Sequence, residues 1–186
     1  DDTIVNIIRR RNMSDDDKLR AVKWRQVVAS VDWLTSQFKP GSKFQIYMFN
    51  NEVQPVIKGS DGVWLEADDG ATLDEAIRVL RRTIPENGTN VRAAYEIASK
   101  LTPRPDNIIL LIDGLPTMME ATSNRRMVTG RDRMSMHGRS IRELPSGIPV
   151  NVLLFPMEGD YDAAIAYWTL AYGTGGSFMA VSRDWP

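Results

Sequence analysis

Length, composition and charge limit the chain to one domain and exclude several classes of function. Its 186 residues, 42% hydrophobic and 25% charged, suffice for one well-buried core but not for two. The net charge of -1 gives no overall field that would favour nucleic acid or an anionic membrane, and the absence of cysteine excludes disulfides, thiolate zinc sites and cysteine nucleophiles. No apolar run approaches the roughly 20 residues of a membrane span.

The N-terminal part of the chain predicts a basic turn followed by a long helix. The sequence starts at Asp1 rather than at a methionine, which suggests a processed or excised piece. Residues 1–13 combine an apolar patch with three consecutive arginines, and we expect a solvated amphipathic turn there. Ser14, followed by three aspartates, predicts a helix N-cap. Apolar residues then recur at the helical period from Trp24 to Phe38, so one face of this helix should meet the core.

A strand hairpin is predicted next. Residues 43–49 are apolar on both alternating faces, which indicates an internal strand covered on both sides. Asn50-Asn51 is a turn pair, and residues 52–58 return as a second strand. Pro55 restricts this second strand to the edge of a sheet, because proline cannot donate to a strand ladder.

Two helices and a buried strand follow. Thr72 and Glu75 have the spacing of a capping box at the start of a helix that ends at Pro85. A second helix is predicted over residues 91–101. Residues 107–112 then carry five consecutive aliphatic side chains that lead into Asp113-Gly114. Such a run is typical of a parallel strand buried on both faces, and ligands bind at the C-terminal edge of such sheets.

The region from residue 115 to 147 is the least regular part of the sequence. Methionines and arginines are scattered through it, which favours a flexible or partner-facing loop, with a short ordinary helix as the alternative. His137, the only histidine, has no carboxylate or second histidine at ligand spacing, and we expect it at the surface.

The C-terminal part predicts alternating strand and helix. Residues 149–156 indicate an internal strand, Asp160 can cap a helix that ends at Gly173, and residues 177–182 form a last strand. Trp185 is either a packing anchor or a chain edge. The order of elements predicts the α/β class: a three-layer, Rossmann-like, doubly wound sheet, mostly parallel, with one antiparallel edge strand and helices on both faces.

These pieces together resemble the von Willebrand factor type A domain. Asn87-Gly88-Thr89 opens a helix, the aliphatic strand ends in Asp113-Gly114-x-Pro-Thr, and the last helix runs into Gly-Gly-Ser-Phe before a final strand. The long first helix, followed by PGSKFQIYMFNNEVQPV, is also similar to the family. The resemblance covers nearly the whole chain, so residues 1–186 are predicted to form a single domain.

The resemblance implies a metal-ion-dependent adhesion site. In that family, loops at the C-terminal edge of the sheet hold Mg2+ or Mn2+ with oxygen ligands, and Ca2+ is a third candidate. Thr89 would be the threonine of the second motif, and Asp113 the aspartate of the third. Gly88 and Gly114 would let backbone approach the ion closely. The candidates for surrounding, supporting residues are Asn87, Gly88, Asn90, Gly114 and Thr117.

One departure from the family pattern concerns the first motif, Asp-x-Ser-x-Ser, which ends the family's first strand. The sequence contains neither this motif nor a buried strand before the long helix. That strand should lie between residues 43–49 and 107–112, where its loss would leave backbone groups unpaired at roughly 1–3 kcal/mol each. We therefore expect it upstream of Asp1 or supplied otherwise, and an intact metal site depends on it.

The predicted function is a protein-binding module in which the metal accepts an acidic side chain from a partner. The family also includes bacterial proteins that assemble with AAA+ ATPases or in envelope complexes, so localisation and partner stay open. The alternatives are a scaffold domain without a functional metal site and, more remotely, a metal-dependent hydrolase. The sequence has no Gly-rich phosphate loop and no G-x-S-x-G elbow, which argues against an enzyme.

Overall fold

The computed structural model describes residues 13–119, 128–157, 159–182, 184 and 185. Helices and strands follow one another along these ranges largely in the predicted order, with a helix at residues 130–140 where the sequence favours a loop. The helices are α1 (Asp15–Leu19), α2 (Val22–Ser36), α3 (Gly70–Arg82), α4 (Val91–Lys100), α5 (Gly130–Ser140) with a 3-10 turn (Ile141–Glu143), and α6 (Tyr161–Thr174). The strands are β1 (Lys43–Phe44), β2 (Tyr47–Phe49), β3 (Val53–Pro55), β4 (Leu65–Glu66), β5 (Ile108–Ile112), β6 (Val150–Leu154) and β7 (Phe178–Ala180).

The strands form one parallel sheet and two antiparallel pairs. β5, β6 and β7 lie side by side and parallel, with Ile108 opposite Val150 and Val152 opposite Phe178. β2 and β3 form the predicted hairpin, in which Pro55 pairs with Tyr47. β1 pairs with β4. The α/β class, the parallel strands and the antiparallel hairpin therefore agree with the sequence.

The larger core lies between the parallel sheet and helices α4 and α6. Aliphatic side chains of β5 and β6 pack there, because residues in the middle of a parallel sheet are covered on both faces. Tyr95 from α4 and Tyr167 from α6 are almost completely buried in this cluster. A smaller core joins α2 and α3 to the segment after the hairpin; its buried members are Val28, Val56, Ala76, Ile77 and Leu80.

An open cleft of about 3060 Å³ lies between the hairpin and the parallel sheet. Within the described ranges, β2 pairs only with β3, and β5 only with β6, so one edge of each strand faces this cleft. Aliphatic side chains form part of its lining, among them Val27 and Val31 of α2, Ile109 and Leu111 of β5, and Ala98 of α4. These side chains are only half-buried. The cleft lies between the two segments where the family resemblance predicts a further strand.

Two predicted elements are interrupted. The long first helix breaks between α1 and α2, although Ser14 caps α1 as predicted by accepting a hydrogen bond from the Asp17 amide. The predicted strand over residues 43–49 is split into β1 and β2 around Gln45. The Gln45 side-chain amide donates to the carbonyl of Val63 (2.8 Å), so this part of the chain is tied to the loop before β4.

The predicted capping box of Thr72 and Glu75 is wrong. Helix α3 starts at Gly70, and the carboxylate of Asp69 accepts hydrogen bonds from the amides of Ala71 and Thr72. Aspartate is a stronger N-cap than threonine, so the helix begins at the earlier of the two candidates.

The prediction of a flexible loop through residue 147 is wrong for its described second half. Thr129 and Asp132 form a capping box that starts α5, and the alternative of a short helix is the one observed. His137 lies on the inner face of α5, 4% exposed, with its ring edge-on to Tyr167 (4.8 Å between centroids). The expected surface position of His137 is therefore wrong, because α5 packs on α6. Residues 120–127 of the predicted loop lie outside the described residues.

Trp185, near the end of the chain, is a packing anchor. Its indole nitrogen donates to the hydroxyl of Ser30 (3.0 Å), and its ring meets Trp33 edge-on at 5.2 Å. No helix among the described residues has the length and hydrophobicity needed to cross a bilayer.

Candidate functional site

The loops that carry Thr89 and Asp113 lie side by side at the C-terminal edge of β5. The Thr89 amide donates to the Thr117 hydroxyl (2.9 Å), and the Thr117 amide donates to the Thr89 carbonyl (3.1 Å). Asp113 directly follows β5, four residues before Thr117. Thr89, Asp113 and Thr117 all line the open cleft. The structure therefore brings the second and third predicted motifs to the same place.

The hairpin turn supports the Thr89 loop from the other side of the cleft. The side-chain oxygen of Asn51 accepts from the Gly88 amide (2.8 Å), and the Asn50 carbonyl accepts from the Asn90 amide (2.8 Å). Asn90 is 3% exposed and serves as the N-cap of α4, where its side chain accepts from the Ala93 amide. Asn90 thus orders both the helix start and the loop, while Asn87 is exposed with a positive φ of 73°.

The two predicted glycines lie where an added Cβ would overlap neighbouring side chains. A Cβ on Gly88 would lie 2.6 Å from the Met118 sulfur and 3.0 Å from the Asn51 side-chain oxygen. A Cβ on Gly114 would lie 2.5 Å from an Asp160 carboxylate oxygen. These neighbours are protein side chains, so the close approach of backbone to an ion at Gly88 and Gly114 stays a prediction.

A buried ion pair fixes the loop after Asp113. The Asp160 carboxylate accepts from the Leu115 amide (2.7 Å) and from the Arg133 guanidinium (2.7 Å), with side-chain exposures of 5% for Asp160 and 13% for Arg133. Arg133 also donates to the Leu115 carbonyl. The loop after β5 is therefore tied to α5 and to the residue that precedes α6.

The hydroxyl of Tyr167 adds a second tie to this loop. It donates to the Gly114 carbonyl (3.1 Å) from a fully buried position on α6. Burial raises the pKa of Tyr167 well above its ordinary value, with smaller contributions in the same direction from Tyr95, Asp113 and Asp160. The phenol therefore stays protonated and remains a hydrogen-bond donor.

The chemistry of the site suits a hard divalent cation, but the donor set is partial. Thr89 offers a hydroxyl oxygen and Asp113 a carboxylate oxygen, both of which Mg2+ and Mn2+ accept. Among the described residues, no group of three His, Cys, Asp or Glu side chains could hold a metal ion. Thr89 and Asp113 thus offer the type of oxygen ligand that the cation prefers. The remaining oxygen ligands would have to come from water or from other residues.

Several residues of the site escaped sequence reasoning. Asn50 and Asn51 were identified only as a turn pair, and Asp160 only as a helix cap. Asp160 does occupy the N-cap position of α6, but its side chain makes no cap hydrogen bond and serves the Leu115 loop instead. Nothing in the sequence pairs Arg133 with Asp160, because the two residues meet only through the packing of α5 against α6.

Comparison with known proteins identifies the fold of the chain but no sequence family. No protein-family model matches the sequence, and no curated protein matches it either. Solved structures do match, and they show that the chain has a von Willebrand factor type A-like fold. One of them is the von Willebrand factor type A from Catenulispora acidiphila, with a TM-score of 0.65, 15% sequence identity and 88% of this chain covered. The chain spans only 35% of that protein's length, and at this identity the likeness establishes the fold alone.

Proposed function

We propose that this domain binds a protein partner through a divalent cation held by Thr89 and Asp113 at the C-terminal edge of the sheet. The observation that carries the proposal is the pair of hydrogen bonds between Thr89 and Thr117, which fixes the two ligand-bearing loops together. A von Willebrand factor type A-like fold is typical of interaction modules rather than enzymes. Bound there, Mg2+ or Mn2+ would accept a carboxylate oxygen from the partner.

The surrounding residues hold these loops in position. Asn51 and Asn90 fix the Thr89 loop, while Asp160, Arg133 and Tyr167 fix the loop after Asp113. These supports come from different elements and are largely buried, so the two loops are ordered before a ligand arrives. Such preorganisation lowers the cost of binding.

We also propose that residues upstream of Asp1 supply the strand that occupies the cleft between β2 and β5. Such a strand would join the hairpin to the parallel sheet, and it would complete a three-layer, doubly wound domain that includes residues 1–186. The open strand edges and the aliphatic lining of the cleft support this proposal. The loop after that strand would also bring additional ligands, of the Asp-x-Ser-x-Ser type, towards Thr89 and Asp113.

Calorimetric titration of Mg2+ and Mn2+ into the protein with its natural upstream residues tests the metal site. We expect binding that Thr89→Ala or Asp113→Ala weakens at least tenfold. Asp106→Ala is the matched control, because Asp106 is exposed and precedes β5 at its opposite end. Metal binding that is absent, or unchanged in both site variants, would refute the metal-dependent function.

Pull-downs with and without EDTA then separate the metal-dependent module from the scaffold. Partner capture that EDTA abolishes supports the module. Capture that persists in EDTA and in Asp113→Ala favours a scaffold domain without a functional metal site, acting within a larger assembly. Turnover of a hydrolase substrate that is lost with the same variant would instead indicate an enzyme.

A further inference from the structure

Helix α6 presents a stripe of large apolar side chains to solvent. The stripe consists of Tyr161, Ile165, Trp168 and Tyr172, which are 86%, 60%, 52% and 76% exposed. Trp168 and Tyr172 stack on each other with ring centroids 5.6 Å apart and planes inclined by 11°. The aromatic side chains are therefore already ordered against one another at the surface.

The opposite face of α6 already fills the core. Ala163, Ala166, Tyr167, Leu170 and Ala171 are buried against the parallel sheet. The helix is thus apolar on both sides. A helix that is apolar on every face is normally buried by protein on every face. The stripe has no packing role within the described part of the chain, which makes it a candidate interaction surface.

The spacing of the stripe is self-complementary. Its members are separated by four, three and four residues, and this pattern reads the same in both directions. Two copies related by a two-fold axis would place Tyr161 opposite Tyr172 and Ile165 opposite Trp168, as an isologous interface requires. Alternating steps of three and four are also the spacing of a two-helix seam.

The charge distribution favours a second copy over a charged partner. Asp162 is the only charged residue of α6. Its carboxylate lies close to the start of α5, 3.8 Å from where a Cβ on Gly130 would be. An uncharged stripe can meet its own copy without like-charge repulsion, and it offers no pattern that would select an acidic or basic partner. The helix also lacks the lysines and arginines that flank the apolar face of membrane-surface helices.

The area of the stripe reaches the lower limit for a dimer interface. Aromatic side chains contribute about 200 Å² each, so the exposed parts of the stripe amount to roughly 500 Å² per copy. Two copies that covered the whole stripe would bury about 1,000 Å² in total, which is the smallest area expected of a specific interface. Ala164 and Thr169, which are exposed beside the stripe, are small enough to let the two helices approach closely.

We propose that the α6 stripe is a homodimer interface, in which two α6 helices pack antiparallel about a two-fold axis near residues 166 and 167. This proposal is independent of the metal site, because the stripe and the Thr89 loop lie on different elements. The ligand of the stripe is a second copy of this chain.

Sedimentation velocity over a wide dilution series tests the proposal on the protein at its natural length. The mass should rise with concentration from that of one chain to that of two. Trp168→Glu should weaken dimerisation at least a hundredfold, while Val63→Glu, at an apolar position that is 51% exposed elsewhere, should leave it unchanged. Circular dichroism confirms that each variant is folded.

The absence of native cysteine allows a geometric test as well. Tyr161→Cys and Tyr172→Cys lie opposite each other on the seam of the antiparallel dimer, so mixing the two variants under oxidising conditions should give the mixed disulfide in excess over either homodisulfide. A protein that stays monomeric at every concentration, or a dimer unaffected by Trp168→Glu, would overturn the proposal. So would a monomer that binds lipid vesicles through Trp168.

Discussion

Replacing Asp160 with alanine should destabilise the domain more than any comparable change of a surface carboxylate. Asp160 accepts two hydrogen bonds of 2.7 Å, from the Leu115 amide and from the Arg133 guanidinium, and its side chain is 5% exposed. Without Asp160, the guanidinium of Arg133, whose side chain is 13% exposed, loses its carboxylate partner. Breaking a buried ion pair costs about 3–5 kcal/mol. For a domain of this length, that loss lowers the melting temperature by about 6–20 °C.

Thermal and urea unfolding of the natural-length protein measure this loss, with Asp16→Ala as the control. Asp16 pairs with Arg20 at the surface, where both side chains are 77% exposed, so its removal should leave the unfolding midpoint almost unchanged. The double variant Arg133→Met with Asp160→Leu should be more stable than Asp160→Ala, because no buried charge remains. A loss below about 1 kcal/mol for Asp160→Ala, similar to an ordinary surface change, would show that the pair does not hold the loop.

Three further changes test individual contacts. Gly88→Ala should lower the free energy of unfolding by about 1–3 kcal/mol through steric overlap. Gly138→Ala in α5, where an added Cβ meets nothing within 4 Å, should instead stabilise the protein slightly. Urea midpoints that fall in both variants would contradict this. Asn90→Ala should lower the free energy of unfolding by about 0.5–2 kcal/mol, because the helix loses its N-cap. Calorimetric unfolding measures this loss, and a thermogram identical to that of the parent protein would exclude the capping role. Burial lowers the pKa of His137 in the folded protein, and a hydrogen bond with the Ala166 backbone raises it by a smaller amount. Because the net pKa is lowered, protonation of His137 favours the unfolded chain. The free energy of unfolding should therefore fall as the pH drops below about 6.5, and His137→Phe should flatten that profile in urea titrations; an unchanged profile would contradict the assignment.

The elements that the sequence predicts well are those whose pattern is local. The aliphatic run of β5 is specified by its own residues and the turn that follows, and the hairpin by Asn50-Asn51 and Pro55. The N-cap of α1 at Ser14 is equally local. In these segments no distant contact is needed to choose between helix and strand.

Apart from the local choice of Asp69 over Thr72 as a helix cap, the errors arise where tertiary contacts decide. His137 is buried because α5 packs on α6, and the polar residues around it in the sequence gave no indication of that. The break at Gln45 depends on a hydrogen bond to the Val63 carbonyl, eighteen residues away. For the candidate site, the glycines were found from the motif, but the Arg133–Asp160 pair was missed because its members lie 27 residues apart. The fold-level resemblance to the von Willebrand factor type A domain is confirmed.

Paramagnetic broadening by Mn2+ tests the central claim most directly. In amide NMR spectra of the protein, sub-stoichiometric Mn2+ should selectively broaden resonances of residues 87–90 and 113–117. Asp113→Ala should abolish this effect, and the exposed acidic turn at Asp15–Asp17 serves as an internal reference for weak, non-specific binding. Selective broadening at the two loops is the predicted result. Broadening confined to the acidic turn, or equal effects with and without Asp113, would contradict a metal-dependent interaction site.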